Sequence, residues 1–199
     1  MTKKICQPNL RKIRKTDCET IWSWRNSDHV KKFMYDQKSI SWADHQAWFD
    51  KILVSKKDIY WLIEAAKSEI GLACINDISQ DNKRASWAFY IADKNFRAVG
   101  AGSAIEYMVA DFAFNSLKLN RLSCEVLSWN TSIIRMHKKF GFYSEGVKRQ
   151  YVFHDGQFID VECFSITKTE WQINQKKNID RLEKAGFHRS ELTNDYSLV

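Results

Sequence analysis

The sequence predicts an α/β fold with a central mixed, mostly antiparallel sheet of about seven strands and helices on both faces. Three observations support this prediction. Short apolar runs with strand character alternate with segments whose apolar residues recur every three or four positions. Asp155-Gly156 between two such runs indicates a hairpin. The length of 199 residues, with 44% hydrophobic residues, suits one domain with a full core.

Each element of the N-terminal half follows from a local pattern. An alternation of apolar and basic residues predicts an edge strand, and polar N-cap residues ahead of tryptophan-rich stretches predict two helices. Gly71 inside the third predicted strand indicates a bulge or a close backbone contact. In order, we expect a strand over 9–15, a helix from Thr16 or Asp17 to Asn26, an irregular stretch over 27–42, a helix from Ser41 or Asp44, and strands over 59–66, 70–78 and 85–91.

The C-terminal half continues the pattern with two helices and three strands. The first of these helices carries one apolar face at helical spacing. We expect a helix over 104–117, a strand over 121–127, a helix over 130–142, and strands over 147–153 and 158–167. The chain therefore divides into a folded domain over 1–170 and a C-terminal tail over 171–199, whose polar helix ends at Gly186. The sequence does not decide what the tail does.

Composition excludes several classes of protein. No apolar stretch approaches the roughly 18 residues of a membrane span, so we expect no membrane partner. Five scattered cysteines without C-x-x-C spacing indicate reduced thiols, a cytoplasmic location and no metal site. The net charge of +7 permits nucleic-acid binding, but the basic clusters are short, which favours small ligands that carry phosphates. The sequence leaves a homodimer open.

The loop from Arg97 to Ser103 lies between a predicted strand and a predicted helix and reads R-x-x-G-x-G. Glycines let backbone N–H groups approach a ligand closely, and a helix N-terminus favours negative charge, so the loop is a candidate phosphate cradle. It is neither the G-x-G-x-x-G of dinucleotide folds nor a P-loop. The alternative is a tight turn that needs glycine for its backbone alone.

This loop and the segment Asn130–Phe142, which reads N-x-x-x-x-x-x-His-x-x-x-G-F, together resemble the GNAT superfamily of N-acetyltransferases. The resemblance covers roughly residues 8 to 168. It implies the GNAT fold and acetyl-CoA as the co-substrate. It also implies that the pyrophosphate binds the loop, that pantetheine pairs with backbone around Ile91, and that Asn130 lies near the pantetheine. The expected cofactor-binding residues are Ile91, Arg97, Val99, Gly100, Ala101, Gly102, Ser103 and Asn130. An N-cap for the next helix is the alternative role of Asn130.

Two residues are candidate catalytic groups. His137 stands where the family usually has the tyrosine that protonates the departing thiolate, and imidazole can do the same near neutral pH. Glu125 interrupts an apolar strand and is a candidate general base acting through water. The alternatives are a histidine on the helix surface and a glutamate on an exposed strand face. No cysteine has a Cys-His context, so we expect direct transfer without an acetyl-enzyme.

The segment from Trp24 to Phe49 predicts the acceptor. It resembles the N-terminal region of the nucleotide-sugar N-acetyltransferases of pseudaminic-acid biosynthesis, although ribosomal-protein N-terminal acetyltransferases share its W-R-N and H-x-x-W-F patterns. The resemblance implies a UDP-linked 4-amino-4,6-dideoxy sugar, acetylated for flagellin or surface glycans. The expected substrate-binding residues are Arg25, Met34, Tyr35, His45, Trp48 and Trp87. The alternatives are an N-terminal protein acetyltransferase and a non-catalytic acyl-CoA-binding domain.

Overall fold

The computed structural model describes residues 7–97 and 100–192, and within them it contains one seven-stranded sheet. The strand order is β1-β2-β3-β4-β5-β7-β6. β4 and β5 are parallel, and the other neighbouring pairs are antiparallel. The strands are β1 (Pro8–Lys12), β2 (Ile59–Ala65), β3 (Ser68–Ser79), β4 (Arg84–Ile91), β5 (Arg121–Leu127), β6 (Tyr143–His154) and β7 (Gln157–Thr167).

Seven helices connect or follow these strands in the described part of the chain. They are α1 (Cys18–Asn26), α2 (Asp28–Lys31), α3 (Trp42–Leu53), α4 (Ala101–Asp111), α5 (Thr131–Phe140), α6 (Lys168–Lys184) and α7 (Arg189–Leu192). A 3₁₀ turn, Lys15–Asp17, precedes α1, and a π turn, Phe112–Ser116, extends α4. The fold class and the order of the main elements predicted from the sequence are confirmed.

The helices cover both faces of the sheet, as the alternation along the strands requires. Leu62 and Leu72 pack with Ile21 of α1 and Phe49 of α3 in one apolar cluster. The neighbouring strand residues, such as Ile63, belong to a larger cluster that contains the buried residues of α4 and α6. The two faces are called the α1/α3 face and the α4 face below.

Local chemistry explains where several elements begin and turn. Ser41 caps α3 by accepting a hydrogen bond from the Asp44 N–H over 3.1 Å. Asp17 does not cap α1 with its side chain; it accepts from the Arg14 N–H at 2.7 Å and pairs with a neighbouring arginine. Asp155 and Gly156 both have positive φ, 48° and 80°, which confirms the predicted hairpin turn.

Gly71 allows β3 and β4 to approach each other closely, as predicted from its position inside a strand. A Cβ atom built there would lie 2.2 Å from the backbone oxygen of Tyr90, so β3 and β4 admit no side chain at this point. The register between β2 and β3 also shifts beside Gly71, between Ile63 and Glu64.

The tail is an integral part of the fold as far as Leu192. Trp171 and Phe187 are buried in the larger cluster, although both lie beyond residue 170. Asn178 is fully buried and donates from Nδ2 to the backbone oxygen of Phe140 over 2.9 Å. Ile173 of the same helix, in contrast, is 73% exposed. The tail therefore completes the α4 face and is not an appendage on its surface; residues 193–199 of the predicted tail lie outside the described range.

The parallel strands β4 and β5 pair over three residues and then separate. Their pairing extends from Arg84 and Arg121 to Ser86 and Ser123, while both strands continue beyond it. Because parallel strands end at the same edge of a sheet, the loops after β4 and β5 meet at the open end of this gap. The gap positions the candidate site.

Candidate active site

The loop after β4 presents backbone N–H groups at the gap. Gly100 has φ of 80° and precedes α4, which begins at Ala101. The first N–H groups of a helix have no helical acceptor, and the helix dipole favours an anion beside them. The Ser103 N–H donates to the Gly100 oxygen over 3.0 Å, so part of the predicted cradle is used internally. Val99, predicted to contribute an N–H, lies outside the described residues.

Gly102 lies where a side chain would face the gap between α4 and α5. A Cβ atom there would meet Met136 Sδ at 3.4 Å and the Phe89 ring at 3.5 Å, which are ordinary contacts. The position therefore accepts a methyl group, whereas a larger group would crowd the Met136 and Phe89 side chains beside the first turn of α4.

Arg97 is turned toward the protein backbone. Its guanidinium donates to the Ile91 oxygen from Nε at 2.9 Å and from Nη2 at 2.7 Å, and Nη2 also reaches the His29 oxygen at 3.2 Å. Burial lowers the pKa of Arg97, and Asp93 opposes that shift. The predicted ion pair with pyrophosphate and the predicted pairing of pantetheine with Ile91 both require this side chain to move away.

Asn130 occupies the N-cap position of α5 but its side chain does not cap the helix. Its Oδ1 instead accepts a hydrogen bond from the Ser132 hydroxyl over 3.2 Å. No described hydrogen bond therefore supports the alternative role of Asn130 as a side-chain cap of α5. The amide lies at the end of β5, beside the gap.

Glu125 lies on the α1/α3 face of β5 and forms a three-residue polar cluster. Tyr35 donates its hydroxyl hydrogen to Oε2 over 2.6 Å, and Lys148 Nζ lies 2.5 Å from Oε1. Burial alone raises the pKa of Glu125, but the hydrogen bonds from Lys148 and Tyr35 and the lysine charge outweigh burial and lower it. His154 Nε2 lies 3.1 Å from the Tyr35 backbone oxygen, so the hairpin also holds this segment.

His137 is neither on the helix surface nor beside Glu125. Its ring is 2% exposed on the α4 face, and Nδ1 lies 2.6 Å from Oε1 of Glu106, which is fully buried. Trp87 and Phe142 pack against the imidazole with ring centroids 5.6 and 5.2 Å away. Burial raises the pKa of Glu106, while the histidine lowers it less. The surface alternative for His137 is wrong, because α5 turns this residue toward the core.

A cavity of about 320 Å³ lies between the sheet and the helices of the α1/α3 face. Four of the six predicted acceptor residues line it: Arg25, Met34, His45 and Trp48. The sheet supplies the opposite wall, which includes Tyr60, Ala88 and Tyr90. Tyr35, the fifth predicted residue, follows Met34 in the chain and reaches Glu125, so the cavity and the polar cluster are adjacent on one face.

Two predicted acceptor residues are placed differently from expectation. Trp87 is 3% exposed and packs in the larger cluster, because alternation along β4 turns it to the α4 face. His45 is 1% exposed, and its Nε2 lies 2.9 Å from the Cys18 backbone oxygen. Burial lowers the pKa of His45, and the hydrogen bond to Cys18 opposes that shift. Burial of this histidine and its contact with Cys18 do not favour the role expected for it, binding a UDP-linked acceptor.

Three residues of the site were not predicted from the sequence. Glu106 had a signal, since it and Asp111 are the two carboxylates in an otherwise largely apolar helix. Tyr90 belongs to the aromatic strand and could have been separated from Trp87 by strand alternation. Lys148 had no such signal, because its contact with Glu125 depends on how β6 lies across β7.

Comparison with known proteins assigns the fold to a family. Residues 9–143 match the acetyltransferase (GNAT) domain family, so the chain belongs to the GNAT acetyltransferases. The N-acetyltransferase YoaA of Bacillus subtilis (strain 168) is 30% identical over 164 residues, 80% of this chain and 92% of YoaA. The putative ribosomal N-acetyltransferase YdaF of the same strain is 28% identical over 102 residues, 51% of this chain and 55% of YdaF.

A solved structure extends the comparison to three dimensions. The spermidine N-acetyltransferase of Vibrio cholerae, in complex with CoA and spermine, superposes with a TM-score of 0.78 at 20% identity. The match covers 83% of this chain and 98% of that one. Together with the family match, the fold and the acetyl-CoA-dependent N-acetyltransferase class predicted from the sequence are confirmed.

The described residues also bear on metal ions, membranes and disulfides. Among residues 7–97 and 100–192, no three His, Cys, Asp or Glu side chains are grouped to hold a metal ion. None of the described helices has the length and apolar character needed to cross a membrane. The four described cysteines, Cys18, Cys74, Cys124 and Cys163, are free thiols.

Proposed function

We propose that this enzyme transfers the acetyl group of acetyl-CoA directly to the primary amine of a small-molecule acceptor that enters from the α1/α3 face. The observation that carries the proposal is the separation of β4 from β5 beyond Ser86 and Ser123. The glycine loop and the first turn of α4 lie at the end of β4, and Glu125 and Tyr35 lie along β5. The two substrates would meet in this gap.

In the proposed reaction the amine nitrogen forms a C–N bond with the thioester carbonyl carbon, and the C–S bond breaks. Glu125 accepts a proton from the acceptor ammonium through a water molecule, which leaves the amine free to attack. As the C–S bond breaks, the nitrogen releases its second proton to solvent water, and His137 gives a proton to the departing thiolate, with Glu106 holding its Nδ1. The acetyl group never bonds to the protein, in keeping with the buried or ordinary environments of the described cysteines.

The proposed acceptor is the UDP-linked 4-amino-4,6-dideoxy sugar expected from the sequence. Arg25 supplies a cation for phosphate oxygens, and the aromatic side chains of Trp48 and Tyr60 supply faces for a planar base. A cavity of about 320 Å³ is small for a ligand pocket, so it would take one end of such a molecule and leave its amino sugar in the gap.

A polyamine is the second candidate, because the solved relative from Vibrio cholerae is a spermidine acetyltransferase. A polycation requires carboxylates, and no Asp or Glu is among the described residues that line the cavity. Glu125 is the nearest candidate, yet it is already paired with Lys148. These contacts favour an anionic acceptor over a polyamine.

Mass spectrometry of product mixtures tests the proposal. The purified enzyme and acetyl-CoA are incubated separately with a UDP-linked 4-amino sugar, with spermidine and with a peptide that has the N-terminus of a ribosomal protein. We expect an added acetyl group on the sugar amine and little on the other two. Exclusive acetylation of spermidine or of the peptide would overturn the proposed acceptor, and no transfer to any amine would favour a non-catalytic acyl-CoA-binding domain.

A further inference from the structure

We infer that Arg25 and Tyr90 form an anion-recognising subsite at the polar end of this cavity, and that the acceptor therefore carries a carboxylate or phosphate group beside an apolar or planar body. The inference rests on the proposed function for its setting, because it names the acceptor class of that site. It adds Tyr90 as a second donor beside Arg25, and it makes a single anionic group the feature that selects the acceptor.

The first observation is a pair of polar atoms without partners. Arg25 donates from Nη2 to the Asp36 backbone oxygen over 2.8 Å, but its buried Nη1 has no hydrogen-bond partner among the described residues. The buried hydroxyl of Tyr90 likewise lacks one. A buried polar atom without a partner costs about 1–3 kcal/mol, and more when it is charged, so such atoms in a cavity indicate a ligand group that supplies the missing bonds.

The second observation is that the two residues line the same cavity. Burial raises the pKa of the Tyr90 hydroxyl, and the Arg25 charge lowers it less. Burial likewise lowers the pKa of Arg25, and Tyr90 opposes that shift. An oxyanion that reached Nη1 could also accept from the tyrosine hydroxyl, because both groups donate hydrogen bonds.

The rest of the lining sets the shape of the ligand. Apolar and aromatic side chains, such as Ile21, Met34, Trp48 and Leu72, form most of the walls. A ligand with a single anionic end and an apolar or planar body matches this distribution. An extended polycation does not, since it would place ammonium groups against the partly buried guanidinium of Arg25.

Matched pairs of ligands test this subsite by calorimetry without acetyl-CoA. UDP and uridine differ in the diphosphate, and phenylalanine and phenethylamine differ in the carboxylate; spermidine serves as the polycation. We expect the anionic member of at least one pair to bind roughly ten- to a hundred-fold more tightly than its neutral or cationic partner, the range for a charged hydrogen bond. A preference in the first pair identifies phosphate as the source of the anion, and a preference in the second identifies carboxylate.

Substitutions of Arg25 and Tyr90 test whether these two residues cause the preference for anionic ligands. Tyr90→Phe removes one hydroxyl from a side chain of the same shape and should lower the preference several-fold. Arg25→Gln should abolish it, while Arg84→Gln, an exposed change at the other end of β4, should leave it intact. If Arg25→Gln does not fold, Tyr90→Phe decides the question.

Equal binding within both pairs, tighter binding of spermidine, or an unchanged preference in folded Tyr90→Phe would overturn the inference. Its failure is separable from failure of the proposed function. If acetyl-CoA does not bind at the glycine loop, the proposed function is refuted. The charge preference would remain valid, because it is measured without acetyl-CoA.

Discussion

Tyr35 and Glu125 are 90 positions apart in the chain, and the tyrosine hydroxyl donates to Oε2 of the glutamate over 2.6 Å. The contact fastens the segment between α2 and α3 onto β5. Met34, the preceding residue, lines the cavity, so this hydrogen bond, together with the contact of His154 with the Tyr35 backbone oxygen, holds the cavity next to the proposed base. The acceptor site is therefore assembled from segments that are distant in sequence.

The Lys148–Glu125 contact predicts the acidic limb of the pH–rate profile. Hydrogen bonds from Lys148 and Tyr35 outweigh burial and lower the pKa of Glu125, so the carboxylate stays ionised until the pH falls below the usual range near about 4.3. Lys148→Met removes the main lowering influence, so the pKa should rise and the limb should move to higher pH. Glu125→Gln should remove the limb. Release of the coenzyme A thiol, followed from pH 4 to 8, measures both; an unmoved limb in Lys148→Met would show that another group titrates.

The buried pair of His137 and Glu106 predicts coupled stability. His137→Phe leaves Glu106 buried without its partner, which should cost about 3–5 kcal/mol of unfolding free energy, the range for breaking a buried pair. Adding Glu106→Leu removes the unpaired carboxylate, so the double variant should be more stable than His137→Phe alone. Denaturant unfolding of the four proteins of this cycle measures the coupling.

The same variants separate folding from chemistry. If His137 protonates the thiolate, the double variant should fold but retain a kcat lowered by about 10² to 10⁴, and His137→Tyr should recover part of the rate. A stable double variant with the parent kcat would instead make the pair purely structural, and the thiolate would take its proton from water.

Substitutions of Gly102 and Gly100 should have different effects, the first on acetyl-CoA binding and the second on stability. Gly102→Val should weaken acetyl-CoA binding at least about ten-fold, because a branched side chain on the first turn of α4 hinders the close approach of phosphate to the backbone N–H groups, whereas a single Cβ atom makes only ordinary contacts there. Gly100→Ala should lower the melting temperature, because φ is 80° and the new Cβ would lie 3.3 Å from the Phe187 ring. Calorimetry and thermal unfolding check the pair; unchanged acetyl-CoA affinity in folded Gly102→Val would refute the loop as the binding site.

The predictions from sequence succeeded where the information is local. The period of apolar residues located the strands, the Asp155-Gly156 turn fixed the hairpin, and alternation assigned Glu125 to one face of β5. Fold class followed, since the order of elements leaves few arrangements of the sheet.

The remaining errors concern contacts between distant segments. Helical spacing shows which residues of α5 share a face with His137. Whether that face contacts solvent or Glu106 depends on how α5 packs on α4. His45 was treated as a ligand because of its residue type, whereas the position of the Cys18 carbonyl decides its role. The tail was separated because its sequence is polar, although Trp171, Ile179, Leu182, Phe187 and Leu192 of its described part belong to the larger core cluster.

His45 predicts a loss of stability in mild acid. Its pKa is lowered by burial, so the unfolded chain binds a proton at higher pH than the folded one does. The contribution of a neutral His45 is present above about pH 6.5, the unfolded value, and is lost as the pH falls through the folded pKa. His45→Gln should flatten this dependence, and His188→Gln, at an exposed position, should not. Denaturant unfolding between pH 5 and 8 checks the slopes; equal slopes in wild type and His45→Gln would contradict this origin.

Trp171 predicts that the segment after residue 170 is required for folding. Its side chain is 1% exposed and packs against Tyr107 with ring centroids 5.1 Å apart, so it joins α6 to the helix that begins at the glycine loop. Trp171→Ala should lower the unfolding free energy by about 3–5 kcal/mol, the usual cost of removing a large aromatic side chain from a core. Ile173→Ala, two residues away but 73% exposed, should change it by less than about 0.5 kcal/mol. Urea unfolding of both variants measures the contrast. If α6 were a dispensable appendage, the two substitutions would have equally small effects, and a chain ending at residue 170 would unfold with the parent midpoint. We instead expect the truncated chain to be unfolded or aggregated. Truncation exposes the apolar surface of α4 that Trp171 and Leu182 cover.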